Sequence, residues 1–169
     1  MIFLRNHLIH RGLLTIITIL MIISTNCCAK HTIESEELPL ALKQTIDIFY
    51  KSIENDDIET RISLFSENAI MMPNHWTITK GKDDIGTMLR SGQAYIFKIR
   101  DREMIDFESS GKLAYTVNSY YYTWHAQKDT AQWHNTKNVH IWKLDHDGNW
   151  KLHLDIWNSN VPLNAFNAE

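Results

Sequence analysis

The stretch Asn138–Asn158, NVHIWKLDHDGNWKLHLDIWN, restricts the fold of this chain more than any other. Two runs of strand character flank Asp145-His146-Asp147-Gly148-Asn149, and Asp-Gly between alternating apolar residues is a strong hairpin signal. A type I turn with Gly148 in the left-handed position, forming a bulge, sets Leu144 opposite Trp150, Lys143 opposite Lys151, Trp142 opposite Leu152 and His140 opposite Leu154. One face then carries Thr136, Asn138, His140, Trp142, Leu144, Trp150, Leu152, Leu154 and Ile156. The other carries Lys137, Val139, Ile141, Lys143, Lys151, His153, Asp155 and Trp157. A two-residue turn at Asp147-Gly148 would instead set His140 opposite Asp155. The choice matters, because a one-residue slip turns every side chain to the other face. The first register is favoured: it keeps the lysines together and off the main apolar face. That face describes a pocket wall with polar groups far from the turn.

The start of the chain reads as a targeting segment rather than as fold. Arg5 and Arg11 precede the apolar run Leu13–Ile23, and small or polar residues follow. This is the order of a secretory signal, and the run is short for a membrane span. Residues 1–29 are therefore expected to be a signal peptide, with cleavage after Ala29. Lipidation at Cys27 or Cys28 is the other reading, and an uncleaved anchor the third. The protein is expected to be periplasmic or secreted. Both cysteines leave with the signal, so the domain carries no disulfide. The whole chain has 17 basic and 20 acidic residues. Loss of Arg5 and Arg11 leaves 15 against 20, a net charge of −5. No basic stripe is visible, which argues against nucleic acid as a partner. About 140 residues suffice for a self-sufficient core.

Residues 30–37 read as a polar linker. Pro39 suits the first turn of a helix. Leu40, Leu42, Ile46, Ile48, Phe49, Tyr50 and Ile53 then follow a helical pattern. Asp56 or Asp57 can cap a short second helix whose buried side is Ile58, Ile62, Leu64 and Phe65. Ser66-Glu67-Asn68 reads as a turn and Ala69-Ile70-Met71-Met72 as a strand stopped by Pro73. Gly81 and Asp83-Asp84 open a third helix with Ile85, Met88 and Leu89 inside. Beyond Gly92 the period changes to two. Strands are expected over 95–107, 113–124, 133–144 and 150–158, and the tail after Val161 is weakly patterned. Helices segregated from a run of antiparallel strands make an α+β domain.

Four places carry a family resemblance. Tyr50 with Glu54-Asn55-Asp56-Asp57 and Leu64-Phe65 resembles a first helix pair. Ala69-Ile70-Met71-Met72-Pro73 with Lys80-Gly81-Lys82-Asp83-Asp84-Ile85 resembles a first strand, a pocket-rim loop and a third helix. Gly111-Lys112-Leu113-Ala114-Tyr115 resembles the start of a central strand. Asp147-Gly148-Asn149-Trp150-Lys151, running to Asp155-Ile156-Trp157-Asn158-Ser159, resembles a terminal hairpin. Together, over Leu38–Pro162, the chain resembles the SnoaL-like, nuclear-transport-factor-like superfamily, in particular secreted ketosteroid isomerase homologues. The resemblance implies a domain over 38–162, with 163–169 as a tail. It implies three N-terminal helices packed in a curved antiparallel sheet, forming a cone with an internal pocket. Relatives include isomerases, dehydratases, cyclases and non-catalytic assembly domains, so fold alone does not give function.

The chemistry is tested residue by residue. A ketosteroid isomerase needs a carboxylate base near the end of the first strand. Met71-Met72-Pro73 stands there, and a thioether cannot take a proton. Dehydration of the scytalone type needs a histidine and an aspartate working with tyrosines. His140, Asp155, Tyr120 and Tyr122 supply the types, but the favoured register points Asp155 away. His140 is either a buried histidine bonded to a backbone carbonyl or an acid–base group. His140 and Tyr50 are the catalytic candidates. Met72, Trp76, Met88, Tyr120, Tyr122, Asn138, Trp142 and Leu154 are the candidate ligand-binding residues. Large apolar walls with a few polar tips suit a small hydrophobic or aromatic ligand. No cofactor is expected. No metal site is expected either: there is no HExxH, and His134 and His140 are about 20 Å apart along one strand. Val139, Ile141 and Trp157 make the reverse face apolar enough to predict a homodimer.

Overall fold

A computed structural model describes residues 37–161. Helix α1 (Leu40–Glu54) starts at Pro39, whose carbonyl accepts from Lys43 N at 3.0 Å. Leu42, Ile46, Phe49, Tyr50 and Ile53 form its buried stripe, at the three- and four-residue spacing of one helix face. Asp57 caps α2 (Ile58–Ser63), accepting from Thr60 N at 3.0 Å. Helix α3 (Lys82–Ser91) opens at Gly81, where φ is +88°. Asp83 and Asp84 lie in its first turn and Arg90 in its last, each favourable to the helix dipole.

Six strands form one sheet: β1 (Phe65–Met72), β2 (Thr79–Lys80), β3 (Tyr95–Ser110), β4 (Leu113–Ala126), β5 (His134–Leu144) and β6 (Trp150–Ser159). The sheet order is β2-β1-β6-β5-β4-β3. Neighbours pair antiparallel except β1 and β6, which run parallel. Helix α1 packs against β3 and β6, whereas α3 packs on β1 and β2. So α3 is not N-terminal to the sheet, and only α1 and α2 precede it. Phe49, Phe65, Trp142, Trp150 and Leu152 belong to the resulting core.

Two expectations need correction. Ser66-Glu67-Asn68 is not a turn but part of β1, which skips register against β6 between Phe65 and Ile70. Ser66 bonds His153 and Glu67 pairs with Lys82, so the extra residues bulge outward while the strand continues. The second correction concerns the terminal hairpin. Near the turn the favoured register holds: Leu144 opposes Trp150, Lys143 opposes Lys151, and Trp142 opposes Leu152. Gly148 is left-handed at φ +82°, and Asp145 Oδ1 accepts from Asp147 N and Asn149 N. Beyond Leu152 the register shifts by one residue, and Leu154 opposes Ile141. His153 is the extra residue of a β-bulge. His140 therefore faces Asp155, and Asn138 faces Trp157. Leu154 and Ile156 move to the outer face, where Ile70 and Met72 of β1 stand beside them.

Strand β3 has two more register shifts against β4, between Arg100 and Glu103 and between Met104 and Asp106. Asp101, in the first, has φ +52°. Bulges of this kind bend a strand and re-aim side chains. Among the described residues no helix is long and apolar enough to cross a membrane. The segment expected to be a signal (1–29) and the expected tail (163–169) lie outside the described residues.

The turn generates a first prediction. Gly148→Ala should cost about 1–2 kcal/mol, the price of a Cβ in left-handed backbone. Gly92→Ala, where φ is −78° and nothing lies within 4 Å of the added carbon, should be neutral within about 0.5 kcal/mol. Urea unfolding of both variants checks the difference.

Candidate functional site

Alternation along β4 places Ala114, Thr116, Asn118 and Tyr120 inward, all buried. The same rule on β5 buries Thr136, Asn138, His140 and Trp142. Strand β6 adds Asp155 beyond its bulge, and α1 adds Tyr50 from above. The result is a polar group inside an apolar core.

Its centre is His140, 1 % exposed, with Asp155, 6 % exposed, beside it. His140 Nε2 lies 3.2 Å from Asp155 Oδ1 and 2.7 Å from Asn138 Nδ2. One ring nitrogen cannot serve both at once. Without a proton, Nε2 accepts from the Asn138 amide, and Asp155 Oδ1 and His140 Nδ1 are left without partners. With a proton, Nε2 can donate to the carboxylate, which then holds the ring's positive charge. The arrangement offers a base whose conjugate acid has a counter-ion in place. Asn138 Oδ1 accepts from Asn118 Nδ2 at 3.0 Å. Asn118 Nδ2 also reaches Thr116 Oγ1 at 3.3 Å, and the Trp142 indole N–H donates to the same hydroxyl at 3.3 Å.

Two phenols complete the group. The Tyr50 ring stacks toward His140 at 6.1 Å and meets Tyr120 edge-on at 6.5 Å. Burial pushes the Tyr50 phenol up to about 12, against the smaller downward pulls of the Asn138 amide and the Arg102 guanidinium. Burial, with the Asp155 charge next, holds Tyr120 well above the ordinary phenol value. Both remain O–H donors at neutral pH; the Asn138 amide stands close enough to the Tyr50 hydroxyl to lower it, but no well-formed hydrogen bond joins the two. Arg102, aimed by the first β3 bulge, stacks over the Tyr50 ring at 4.1 Å and lies 3.8 Å from Asp47. Arg61 on α2 keeps a buried Nε without a partner. Its burial lowers the guanidinium's proton affinity, and the Asp155 charge opposes that.

At the open end of the inner face Tyr122 packs on Phe97 at 6.0 Å, His134 at 5.3 Å and Trp157 at 5.6 Å. Of the sequence candidates, Tyr50, Tyr120, Asn138, His140 and Trp142 converge on one inner group, with Tyr122 at its rim. Trp142 is fully buried between Phe49 and His140, so it is packed core rather than free wall. Met88 is half-buried against the core and its sulfur accepts from Thr79 Oγ1. Three candidates stand elsewhere. Leu154 is on the outer face, because of the His153 bulge. Met72 is outer too, beside Ile156. Trp76 is 64 % exposed on the loop after β1, with no core neighbour to hold it over the cone. Trp157 makes the opposite move, from the expected reverse face to the inner rim.

Asn118 and Thr116 escaped the sequence reading, although β4 alternation placed them beside Tyr120. Arg102 had no such signal, and Asp155 met His140 only in the register not favoured; each reaches the group through a bulge. The end of β1 carries no acid, as the sequence shows, but Met71 pairs with Asp155. A carboxylate therefore stands one strand away. Among the described residues no three His, Cys, Asp or Glu side chains gather as a metal site.

No family model and no curated protein matches this sequence. Solved structures do. A ketosteroid isomerase-like protein from Erwinia carotovora atroseptica superposes with a TM-score of 0.64 at 13 % identity, over 72 % of this chain and 95 % of that one. A Novosphingobium aromaticivorans protein provisionally named a scytalone dehydratase gives 0.63 at 13 % identity, over 72 % and 83 %. A Nostoc punctiforme domain of unknown function with a cystatin-like fold gives 0.61 at 12 % identity, over 75 % and 80 %. The fold is the nuclear-transport-factor-like cone. In such a cone the inner sheet face and the helix across it enclose the interior, where His140, Asp155 and Tyr50 meet. At these identities the likeness is one of fold, and the chemistry rests on the residues themselves.

Two predictions follow from this geometry. Asp155→Lys should cost more than about 3 kcal/mol, since it buries an unpaired cation where an acid met His140. In the bulge-free register residue 155 would face outward, and the same change would cost under about 0.5 kcal/mol. Chemical denaturation decides between them. The second concerns alkaline pH. Above pH 10 the unfolded chain loses phenol protons that the folded chain keeps at Tyr50 up to about 12. The unfolded state then binds fewer protons, so stability falls with rising pH. Tyr50 alone should remove roughly 3 kcal/mol across that window. Tyr50→Phe should flatten the decline in urea midpoints between about pH 9.5 and 11.5, which covers most of that window.

Proposed function

We propose that this chain is an exported domain that binds a small apolar or aromatic molecule inside its cone. We further propose that it acts on that molecule as a lyase or isomerase, with His140 as the acid–base group. One observation carries the reading. Among the described residues five buried side-chain polar atoms lack partners, and four of them are Tyr50 Oη, Asn118 Oδ1, His140 Nδ1 and Asp155 Oδ1. Buried polar atoms are nearly always paired in folded proteins. Unpaired atoms gathered at one place fit a polar tip of a ligand, with Phe97, Tyr122 and Trp157 around its apolar body. In this reading His140 takes a proton beside a carbonyl or hydroxyl, Asp155 holds the resulting charge, and Tyr50 donates to the substrate oxygen. Two neighbours are named for their likeness to ketosteroid isomerase and scytalone dehydratase, which supports the class and not the substrate.

Export rests on the N-terminal segment, read as a signal cleaved after Ala29 or, in the other reading, lipidated at Cys27 or Cys28. The second reading is a non-catalytic dimerisation domain with a filled cone. It is favoured by the burial of His140 and Asp155 and by the outer face of Val139, Ile141, Leu154 and Ile156.

Native mass spectrometry of the purified protein, followed by a screen of small hydroxylated and ketonic aromatics, separates the readings. The catalytic reading expects a turned-over compound whose pH–rate profile loses a limb in His140→Gln, with kcat reduced about 10²–10⁴-fold. It expects Tyr50→Phe to lower kcat more than it raises KM. An unchanged profile in His140→Gln would remove His140 from the chemistry. An empty protein that neither binds nor turns over any compound, and becomes monomeric in Ile141→Asp, would establish the filled-cone reading instead.

A further inference from the structure

A second concavity lies where β3 begins and β4 ends, beyond the open end of the inner face. It is a cleft of about 620 Å³, within the size range of small-molecule sites. Tyr95 and Trp124 form its aromatic wall. They stand diagonally across the two strands, Tyr95 pairing with Ala126 and Trp124 with Phe97, with rings 4.6 Å apart and tilted by 41°. Yet they remain 44 % and 53 % exposed. The two rings are packed together and still partly open to solvent. Opposite them the chain between β4 and β5, turned by Asp129 N donating to Ala126 O at 3.0 Å, supplies Asp129, Thr130 and Gln132. His125, Ala126, Lys128 and His134 complete the lining.

This chemistry differs from that of the cone interior. The polar groups face water rather than core, and they include both donors and acceptors. Hydroxyl groups need both at once. Lys128 and Asp129 have opposite charges, so the lining favours a neutral ligand over an ion. An exposed indole beside a phenol presents a flat apolar platform, and the axial C–H groups of a pyranose ring pack on such a face. A purely apolar ligand would leave the amide and carboxylate of the lining unpaired, which is costly. A flat, neutral, polyhydroxylated ring satisfies both walls.

We infer that the cleft between Tyr95, Trp124 and the 128–132 segment is a carbohydrate-binding site, taking a neutral pyranose unit stacked on Trp124. The site is separate from the buried group. Trp124 and Tyr120 are four residues apart on β4, about 14 Å along a strand. The inference does not rest on catalysis at His140.

The test uses the full chain, fluorescently labelled, on an array of neutral and acidic oligosaccharides, with calorimetry on any that score. The expected result is saturable binding of a neutral oligosaccharide, weakened at least tenfold in Trp124→Ala and several-fold in Gln132→Ala. Tyr50→Phe should bind within about twofold of the parent. Trp124 is exposed, so its loss should leave the far-ultraviolet spectrum unchanged, and Gln132→Ala gives a second reading without touching the aromatic pair. Absence of any neutral glycan above background would overturn the inference. So would binding that survives both Trp124→Ala and Gln132→Ala, or binding abolished by Tyr50→Phe, which would place the sugar in the cone.

Discussion

The contact between His140 and Asp155 is the interaction on which the interior depends, and a single extra residue makes it. Without the bulge at His153, strict alternation would turn Asp155 to the outer face and bring Leu154 in. The interior would then be an apolar core with one lone histidine. With the bulge, a carboxylate enters a region where an unpaired charge is strongly unfavourable, and His140 is the group within reach. The same shift carries Trp157 to the inner rim and sends Leu154 and Ile156 to the outer face. The Ser66–His153 hydrogen bond sits at this point, at 3.0 Å. There β1 has its own irregularity against β6, so both strands leave regular pairing together.

The dry surroundings give the group its character. Phe49 and Trp142 meet the His140 ring edge-on, and Tyr50 covers it. In such a place phenols stay protonated, and every polar contact is stronger than in water. The cost is that each unpaired donor or acceptor weakens the fold. A domain that only needed stability would fill this space with hydrocarbon. Arg102 adds a cation at the edge, delivered by a bulge whose Asp101 has left-handed backbone. Irregular backbone on β3 and β6 thus converges on Tyr50 and His140 from two sides. Bulges are over-represented near functional sites, and that agrees with the reading of the interior as a place of binding and acid–base work.

The regular parts of the fold were legible in the residues. The buried stripe of α1, the Asp57 cap, the Asp-Gly turn with left-handed Gly148 and the strands over 95–158 all follow from spacing and turn chemistry. These are local signals, each set by a few neighbours in sequence. His140, Asn138 and Tyr50 were legible as inward-facing for the same reason. Ser66-Glu67-Asn68 misled, because three polar residues resemble a turn unless a neighbouring strand holds them in a sheet.

By itself, then, the sequence determined an α+β domain, its element order, the hairpin turn and most of the inner face, because periodicity and capping are short-range. Only the tertiary structure decided that Asp155 meets His140, that Arg102 covers Tyr50, and that Leu154, Met72 and Trp76 lie away from the interior. The reason is physical. A bulge inserts one residue without changing the hydrophobic pattern on either side. Its position is selected by packing against β1 and β5, which stand far away in the chain.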